Sequence, residues 1–228
     1  MQNKKVIYIL TAIIFVGFFY YTTSDKQDAK SIDELVINSN ILEYSDGTFI
    51  NNVALEEISL GDTNAPVTII EYASMTCSHC AEFHNTTFQK IKKDYIETGE
   101  VRYIFREFPI DKLAMATSML ARCVDKNVSL PFIGVLFKTR DQWISENALS
   151  ELKNLSKQAG LSNEEFDKCL NNQTLLDELI SIKDQAITDY NINSTPSFVI
   201  NGKVLTGNKP YSTFKKEIDK VLESYRGI

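Results

Sequence analysis

Cys77-Ser78-His79-Cys80 is the part of this chain with the clearest capacity for chemistry. Two thiols with two residues between them can bond to each other reversibly, or supply half of a zinc site. They follow the short apolar run Val67–Ala73 and open a stretch of helical periodicity, so Cys77 is expected at the first helical position. Unpaired N–H groups and the positive end of the helix dipole favour an anion there. A thiolate at Cys77 is therefore stabilised, and His79, if protonated, adds a second positive neighbour. Stabilising the reduced pair makes the corresponding disulfide a stronger oxidant. Zinc needs two further ligands, and the candidates are poorly placed. His84 lies one turn beyond Cys80, while Cys123 and Cys169 are 46 residues apart and form no second C-x-x-C. No metal or other cofactor is expected. An inert disulfide is the other reading that these four residues leave open.

The surrounding sequence supplies elements to position the pair. Pro66 precedes Val67–Ala73 (VTIIEYA), which suits a strand buried on both faces. Thr76 is expected as the N-cap of a helix from Cys77 to about Glu97, ended by Gly99. Along it Cys77, Ala81, His84, Phe88, Ile91 and Tyr95 share one face. Val101–Phe108 reads as a second strand stopped by Pro109, which makes a parallel βαβ crossover. Helical periodicity then runs through 111–126, 130–139, 145–159, 162–171 and 173–190, with Pro131, Asp141, Gly160 and Asn171-Asn172 as separators. Ser197–Ile200 and Lys203–Leu205 flank Asn201-Gly202, a strong hairpin signal, and Pro210 opens a closing helix to about Tyr225. The expected architecture is α/β. A sheet domain (61–110 and 192–228) is interrupted by an all-helical insertion (111–191) with Phe137 and Trp143 in its core. No internal repeat is visible.

Composition narrows the function classes. The 228 residues are 43% hydrophobic and 24% charged, ordinary for a globular chain, and the net charge is −6. The first 24 residues hold two lysines and no acids, so the remainder carries −8. Nucleic-acid binding calls for the opposite sign. Lys4 and Lys5 precede an apolar run from Val6 to Tyr21, and polar residues follow. Residues 1–24 thus read as a secretory signal or signal-anchor. As a helix the run spans about 24 Å, short of the roughly 30 Å hydrocarbon core. No clear small-x-small cleavage triplet follows it, so both a cleaved signal and an uncleaved membrane tether stay open. Residues 25–60 read as a polar spacer with an amphipathic turn near 32–42 and a first edge strand near 48–53. Asn-x-Ser/Thr sequons at Asn85 and Asn193 fall within the candidate site, where glycans would block access. A bacterial periplasm fits best, and disulfides persist there.

Taken together, Cys77-Ser78-His79-Cys80 after Val67–Ala73, the helical block, and then Thr195-Pro196-Ser197-Phe198 before Asn201-Gly202-Lys203 resemble the DsbA-like branch of the thioredoxin superfamily. The likeness covers roughly residues 60–226, including Glu71 and Arg106-Glu107-Phe108-Pro109, and is nearest to the α-proteobacterial type. It implies a thioredoxin fold with inserted helices and a periplasmic disulfide oxidoreductase. By position, Cys77 resembles the exposed nucleophile and Cys80 the buried resolving cysteine. Pro196, by itself only a loop punctuator, becomes a cis-proline facing the dithiol, with Thr195 and Pro196 holding the substrate backbone. Glu71 matches a buried acid that relays a proton for Cys80. Its alternative is a strand-end glutamate reaching solvent, and His84 is expected to be a packing residue. Cys123 and Cys169 are expected to form a structural disulfide worth roughly 4 kcal/mol by loop closure, the alternative being two free thiols.

The resemblance also implies partners. Substrates would be reduced secreted or periplasmic proteins, and a quinone-linked, DsbB-like membrane protein would reoxidise the pair. Ser78-His79 departs from the Pro-His of the strong oxidases, and Thr195 occurs in oxidases and isomerases alike. Residues 25–60 are too short for the dimerisation domain of an isomerase, which favours a monomeric oxidase. An isomerase or reductase, and a redox-inert chaperone or surface binding protein, are the alternatives.

Overall fold

The alternation of Val67–Ala73 explains how the sheet is covered on both sides. In a computed structural model, which describes residues 55–227, Val67, Ile69, Glu71 and Ala73 are wholly buried on one face of this strand. Ile70 and Tyr72 point to the other, where Phe108, Ala186, Ile192 and Val199 form a smaller apolar cluster. Among the described residues the sheet has five strands: β1 (Ile58–Leu60), β2 (Val67–Ala73), β3 (Val101–Glu107), β4 (Ser197–Ile200) and β5 (Lys203–Thr206), in spatial order β1-β3-β2-β4-β5. β2 and β3 are parallel, with Glu71 opposite Phe105, and the other pairings are antiparallel. The hairpin between β4 and β5 turns on Asn201 (φ 42°) and Gly202 (φ 85°), the left-handed pair of a type I′ turn. The Asn201 side chain reaches back to β2, accepting from Thr68 N at 2.6 Å and donating to Pro66 O at 3.0 Å.

The crossover from β2 to β3 departs from the single helix expected. α1 (Ser78–Asn85) ends at Thr86, whose φ and ψ of −126° and −73° break the helix, and α2 (Thr87–Ile91) continues into a π-helical turn, Lys92–Ile96. Side chains take over two of the freed carbonyls. Thr86 Oγ1 donates to Glu82 O, and Gln89 Nε2 donates to His84 O. The apolar face survives the break, since Ala81, His84, Phe88, Ile91 and Tyr95 are all buried.

The intervening block is helical throughout: α3 (Lys112–Cys123), α4 (Lys126–Lys138), α5 (Arg140–Trp143), α6 (Ala148–Gln158), α7 (Asn163–Leu170) and α8 (Gln173–Tyr190). Pro131 lies inside α4 and does not separate helices. The break comes earlier, at Val124, because Asp125 caps α4 through Asn127 N. Asp141 sits within a one-turn helix and is likewise no separator. Ser162 and Glu165 form a reciprocal capping box on α7. Trp143 is fully buried and donates to Leu136 O at 2.8 Å. Phe137 reaches out of the helical block, with its ring centroid 4.5 Å from that of His84. Sheet and insertion share one continuous buried cluster. α9 (Tyr211–Arg226) closes the fold, with Pro210 as its cap and not its first helical residue.

The expected signal or anchor at 1–24, the turn near 32–42 and the strand near 48–53 lie outside the described residues; the edge strand observed is Ile58–Leu60. Among the described residues no helix is long and apolar enough to cross a membrane.

Candidate active site

β2 delivers the chain to the site and α1 begins there, but one residue later than the sequence suggested. Cys77 is extended (φ −76°, ψ 120°) and occupies the N-cap, with Ser78 as the first helical residue. Thr76 is thus not the cap. Its hydroxyl donates instead to Asp111 Oδ2 at 2.6 Å. Cys77 places a sulfur where a Ser or Asp cap would place an oxygen; it makes no capping hydrogen bond, and the backbone of His79 and Cys80 favours its anion by proximity.

Both thiols are free, and their environments are opposite. Cys77 is half-buried and Cys80 has no exposed surface. The Cys77 thiol is lowered to about 5. Hydrogen bonding from the Cys80 thiol is the largest cause. Partial burial opposes it, and the Thr195 side chain and the backbone N–H groups of Cys80 and His79 add to the lowering. Burial pushes the Cys80 thiol far up, reinforced by its hydrogen bond to Cys77 and by the negative charge of Glu71. The pair thus divides into one sulfur that ionises readily and one that holds its proton.

His79 presents its backbone N–H to Cys77, while its ring lies at the surface, 3.8 Å from Glu82 Oε2. Thr195 and Pro196, more than a hundred residues away in sequence, arrive at the same place. Their peptide bond is cis, and the Cys77 thiol donates to Thr195 O at 3.5 Å. Cys123 and Cys169 are bonded to each other, joining the ends of α3 and α7 with Cα atoms 6.1 Å apart. Among the described residues no group of three or more His, Cys, Asp or Glu is placed to hold a metal ion.

Beneath Cys80 lies a buried polar cluster that sequence reasoning saw only in part. Glu71 is fully buried, which excludes the solvent-reaching alternative. Its Oε2 accepts from the Tyr103 hydroxyl and lies 3.5 Å from His84 Nε2, itself 3.2 Å from the Tyr103 oxygen. Burial and the Glu71 charge raise the Tyr103 phenol well above its usual range, so it stays a donor. The His84 ring packs between Phe88 and Phe137, at 4.6 and 4.5 Å between centroids. It is both the packing residue expected and a polar neighbour of Glu71. Tyr103 carried one weak signal, a hydroxyl on the buried face of a strand, two residues before Phe105.

A dithiol of this asymmetry at a helix start, facing a cis-proline loop on a β1-β3-β2-β4-β5 sheet, has close counterparts. Residues 54–220 match the family described as Thioredoxin. The crystal structure of Wolbachia pipientis alpha-DsbA1 superposes with a TM-score of 0.68 at 34% identity, covering 72% of this chain and 90% of that one. This chain belongs to the DsbA-like branch of the thioredoxin superfamily. BdbD from Bacillus subtilis, in its oxidised crystal form, matches with a TM-score of 0.65 at 25% identity, over 73% of this chain and 93% of that one. A Rickettsia felis relative that bears the name "Putative protein-disulfide oxidoreductase" is 34% identical over 172 residues. That match takes in 75% of this chain and 62% of the relative, so the chain spans less than two thirds of the length of the Rickettsia proteins it matches first. The helical insertion of this DsbA-like chain, read from sequence as an interruption of the thioredoxin fold, is the α3–α8 block.

Proposed function

We propose that this chain is a protein disulfide oxidoreductase acting as an oxidase, with Cys77 as the attacked sulfur and Cys80 as the resolving one. The observation that carries the reading is the opposite proton affinity of the two sulfurs. A thiolate comfortable at about 5 makes Cys77 a good leaving group and stabilises the reduced protein, so its disulfide gives up its bond readily.

In the oxidised protein a substrate thiolate attacks Cys77 Sγ. The Cys77–Cys80 bond breaks, and a mixed disulfide forms at Cys77. Cys80 departs carrying the electron pair, and with its high proton affinity it leaves poorly as a bare thiolate. The proton that Cys80 takes up as the bond breaks comes from solvent, and Glu71, held by Tyr103 and His84, is the group that relays it. A second substrate thiolate then attacks the substrate sulfur of the mixed disulfide. Cys77 leaves as a thiolate, the substrate carries a new disulfide, and two electrons have passed to the dithiol. Thr195 and Pro196 border Cys77 and hold the incoming chain there, while the backbone of His79 supports the anion.

The partners follow from this chemistry. Substrates are reduced extracytoplasmic proteins, the compartment is the periplasm, and a quinone-linked membrane protein removes the electrons. The protein works as a monomer. The relatives named for disulfide oxidoreduction and the charge pattern at 1–24 support this reading.

The test is oxidative refolding of reduced, unfolded ribonuclease with the purified oxidised chain in stoichiometric amount. Disulfides are expected to appear in the ribonuclease while the chain becomes reduced. Reduced Cys80→Ala, mixed with scrambled ribonuclease, is expected to accumulate a mixed disulfide at Cys77, because the Cys77 thiolate breaks a substrate disulfide and no Cys80 thiol remains to release it. Repair of scrambled ribonuclease without net oxidation would reassign the chain as an isomerase. Failure of both would remove the enzymatic reading.

A further inference from the structure

Thr76 precedes the dithiol directly, and the helical insertion grips it from two sides. Its carbonyl accepts two hydrogen bonds from one guanidinium, Arg140 Nε at 2.9 Å and Nη2 at 2.7 Å. Its hydroxyl donates to Asp111 Oδ2, and Ser74 Oγ lies 3.1 Å from the same hydroxyl. Asp111 caps α3 with its other oxygen, accepting from Ala114 N at 2.7 Å. Arg140 stands on α5, its remaining terminal nitrogen bonded to the exposed Asp141 carboxylate at 2.8 Å.

Two charge-assisted donors from one rigid guanidinium fork fix the carbonyl they share in direction as well as distance. This carbonyl belongs to the Thr76–Cys77 peptide unit, so fixing its plane fixes the start of the Cys77 side chain. The groups that act on the Cys77 sulfur directly are the Cys80 thiol, the N–H groups of Cys80 and His79, and Thr195. None of them lies in the insertion. Those contacts are sensitive to displacements well under 1 Å. Thr76 is thus the hydrogen-bonded link from the insertion to the peptide that carries the sulfur, beside the packing of Phe137 on His84 of α1.

We propose that Arg140 and Asp111 are positioning residues of the dithiol, a two-sided clamp on Thr76 through which the helical insertion holds the Cys77 sulfur against the first turn of α1. The proposal rests on the reading of Cys77 as the reacting thiol. Releasing the clamp lets the sulfur drift from its N–H partners, so the anion loses support, the reduced form loses stability and the disulfide becomes a weaker oxidant.

The experiment compares wild type, Arg140→Met and Thr76→Val in the otherwise intact chain. Arg140→Met removes the guanidinium, and Thr76→Val removes the hydroxyl with its bonds to Asp111 and Ser74 while leaving the carbonyl in Arg140's fork. The readouts are the pH midpoint of Cys77 alkylation and the equilibrium with glutathione, with Tm recorded alongside. For Arg140→Met the midpoint is expected to rise by about one unit. The equilibrium is then expected to shift about tenfold toward the oxidised protein, which is about 30 mV. Thr76→Val is expected to move both readouts the same way by less. A purely structural contact would lower Tm and move neither. Midpoint and equilibrium at wild-type values in either folded variant overturn the clamp, and should Arg140→Met not fold, Thr76→Val decides. A wild-type midpoint at the ordinary thiol value of about 8.5 overturns the reading of Cys77 instead.

Discussion

The molecule holds two pairs of cysteines, and they are built on opposite plans. Cys77 and Cys80 sit three residues apart at the start of one helix, where their sulfurs differ in exposure and in proton affinity. Cys123 and Cys169 come from two helices of the insertion, are already bonded, and sit beside a link from the insertion to the sheet. The adjacent Arg122 forms a two-point ion pair with Glu107 at the end of β3, at 2.5 and 2.6 Å, and both side chains are buried. In the first pair the surroundings on balance favour ionisation of Cys77 and oppose that of Cys80. In the second the neighbours tie the insertion to the sheet. What separates the two pairs is thus the asymmetry of their surroundings, since the residue type is the same.

The largest effect that can break this comparison is on activity. Cys77→Ala is expected to abolish thiol–disulfide exchange. The Cys123→Ala/Cys169→Ala double variant, assayed at a temperature where it is folded, is expected to keep its rate within about a factor of two, because the contacts acting on Cys77 do not include these residues. Equal losses in both would erase the distinction.

On stability the order reverses. Arg122→Ala leaves the Glu107 carboxylate buried without its counter-ion, and is expected to cost about 3–5 kcal/mol in urea unfolding. Arg122→Met combined with Glu107→Leu, which removes both charges, is expected to recover most of that loss. A single variant with wild-type stability would show that the pair contributes nothing. Removing the Cys123–Cys169 bond is expected to cost somewhat less, about 2–4 kcal/mol, or very roughly 10 °C in Tm for a chain of this size.

Much of this was readable in advance, and the exceptions have a common cause. β2 and α8 carry the bounds read from their apolar pattern and flanking residues, and the Asn201-Gly202 hairpin follows from turn chemistry alone. The places of Cys77 and Cys80 were legible because strand, C-x-x-C and helix are adjacent in the chain. Local signals failed where a distant partner decides. Thr76 looks like an N-cap until Asp111 takes its hydroxyl, and Pro131 looks like a helix breaker until Asp125 sets the start of α4. Arg140 carries no sign in the sequence that it meets a carbonyl 64 residues away. His84 reads as a core residue because its polar partners, Glu71 and Tyr103, come from β2 and β3 and not from its own helix.

The smallest effect sharpens the comparison through pH. A thiol whose folded value lies near 5, against about 8.5 in the unfolded chain, adds stability to the reduced protein. The contribution is complete above the unfolded value and vanishes as pH falls through the folded one. At pH 7 the reduced form holds up to about 2.7 kcal/mol from this source, and about 2 is expected because Cys77 is partly exposed and solvent weakens the interaction. The oxidised form has no ionisable thiol at the site and lacks the term. The stability of the reduced protein relative to the oxidised one is therefore expected to fall by about that amount between pH 7 and pH 4. Cys123 and Cys169 stay bonded if reduction is confined to Cys77 and Cys80, so they cancel from the difference. Paired urea unfolding of the two redox forms at the two pH values measures it. A difference that does not change between pH 7 and pH 4 would place the Cys77 thiol among ordinary thiols and dissolve the contrast between the two pairs.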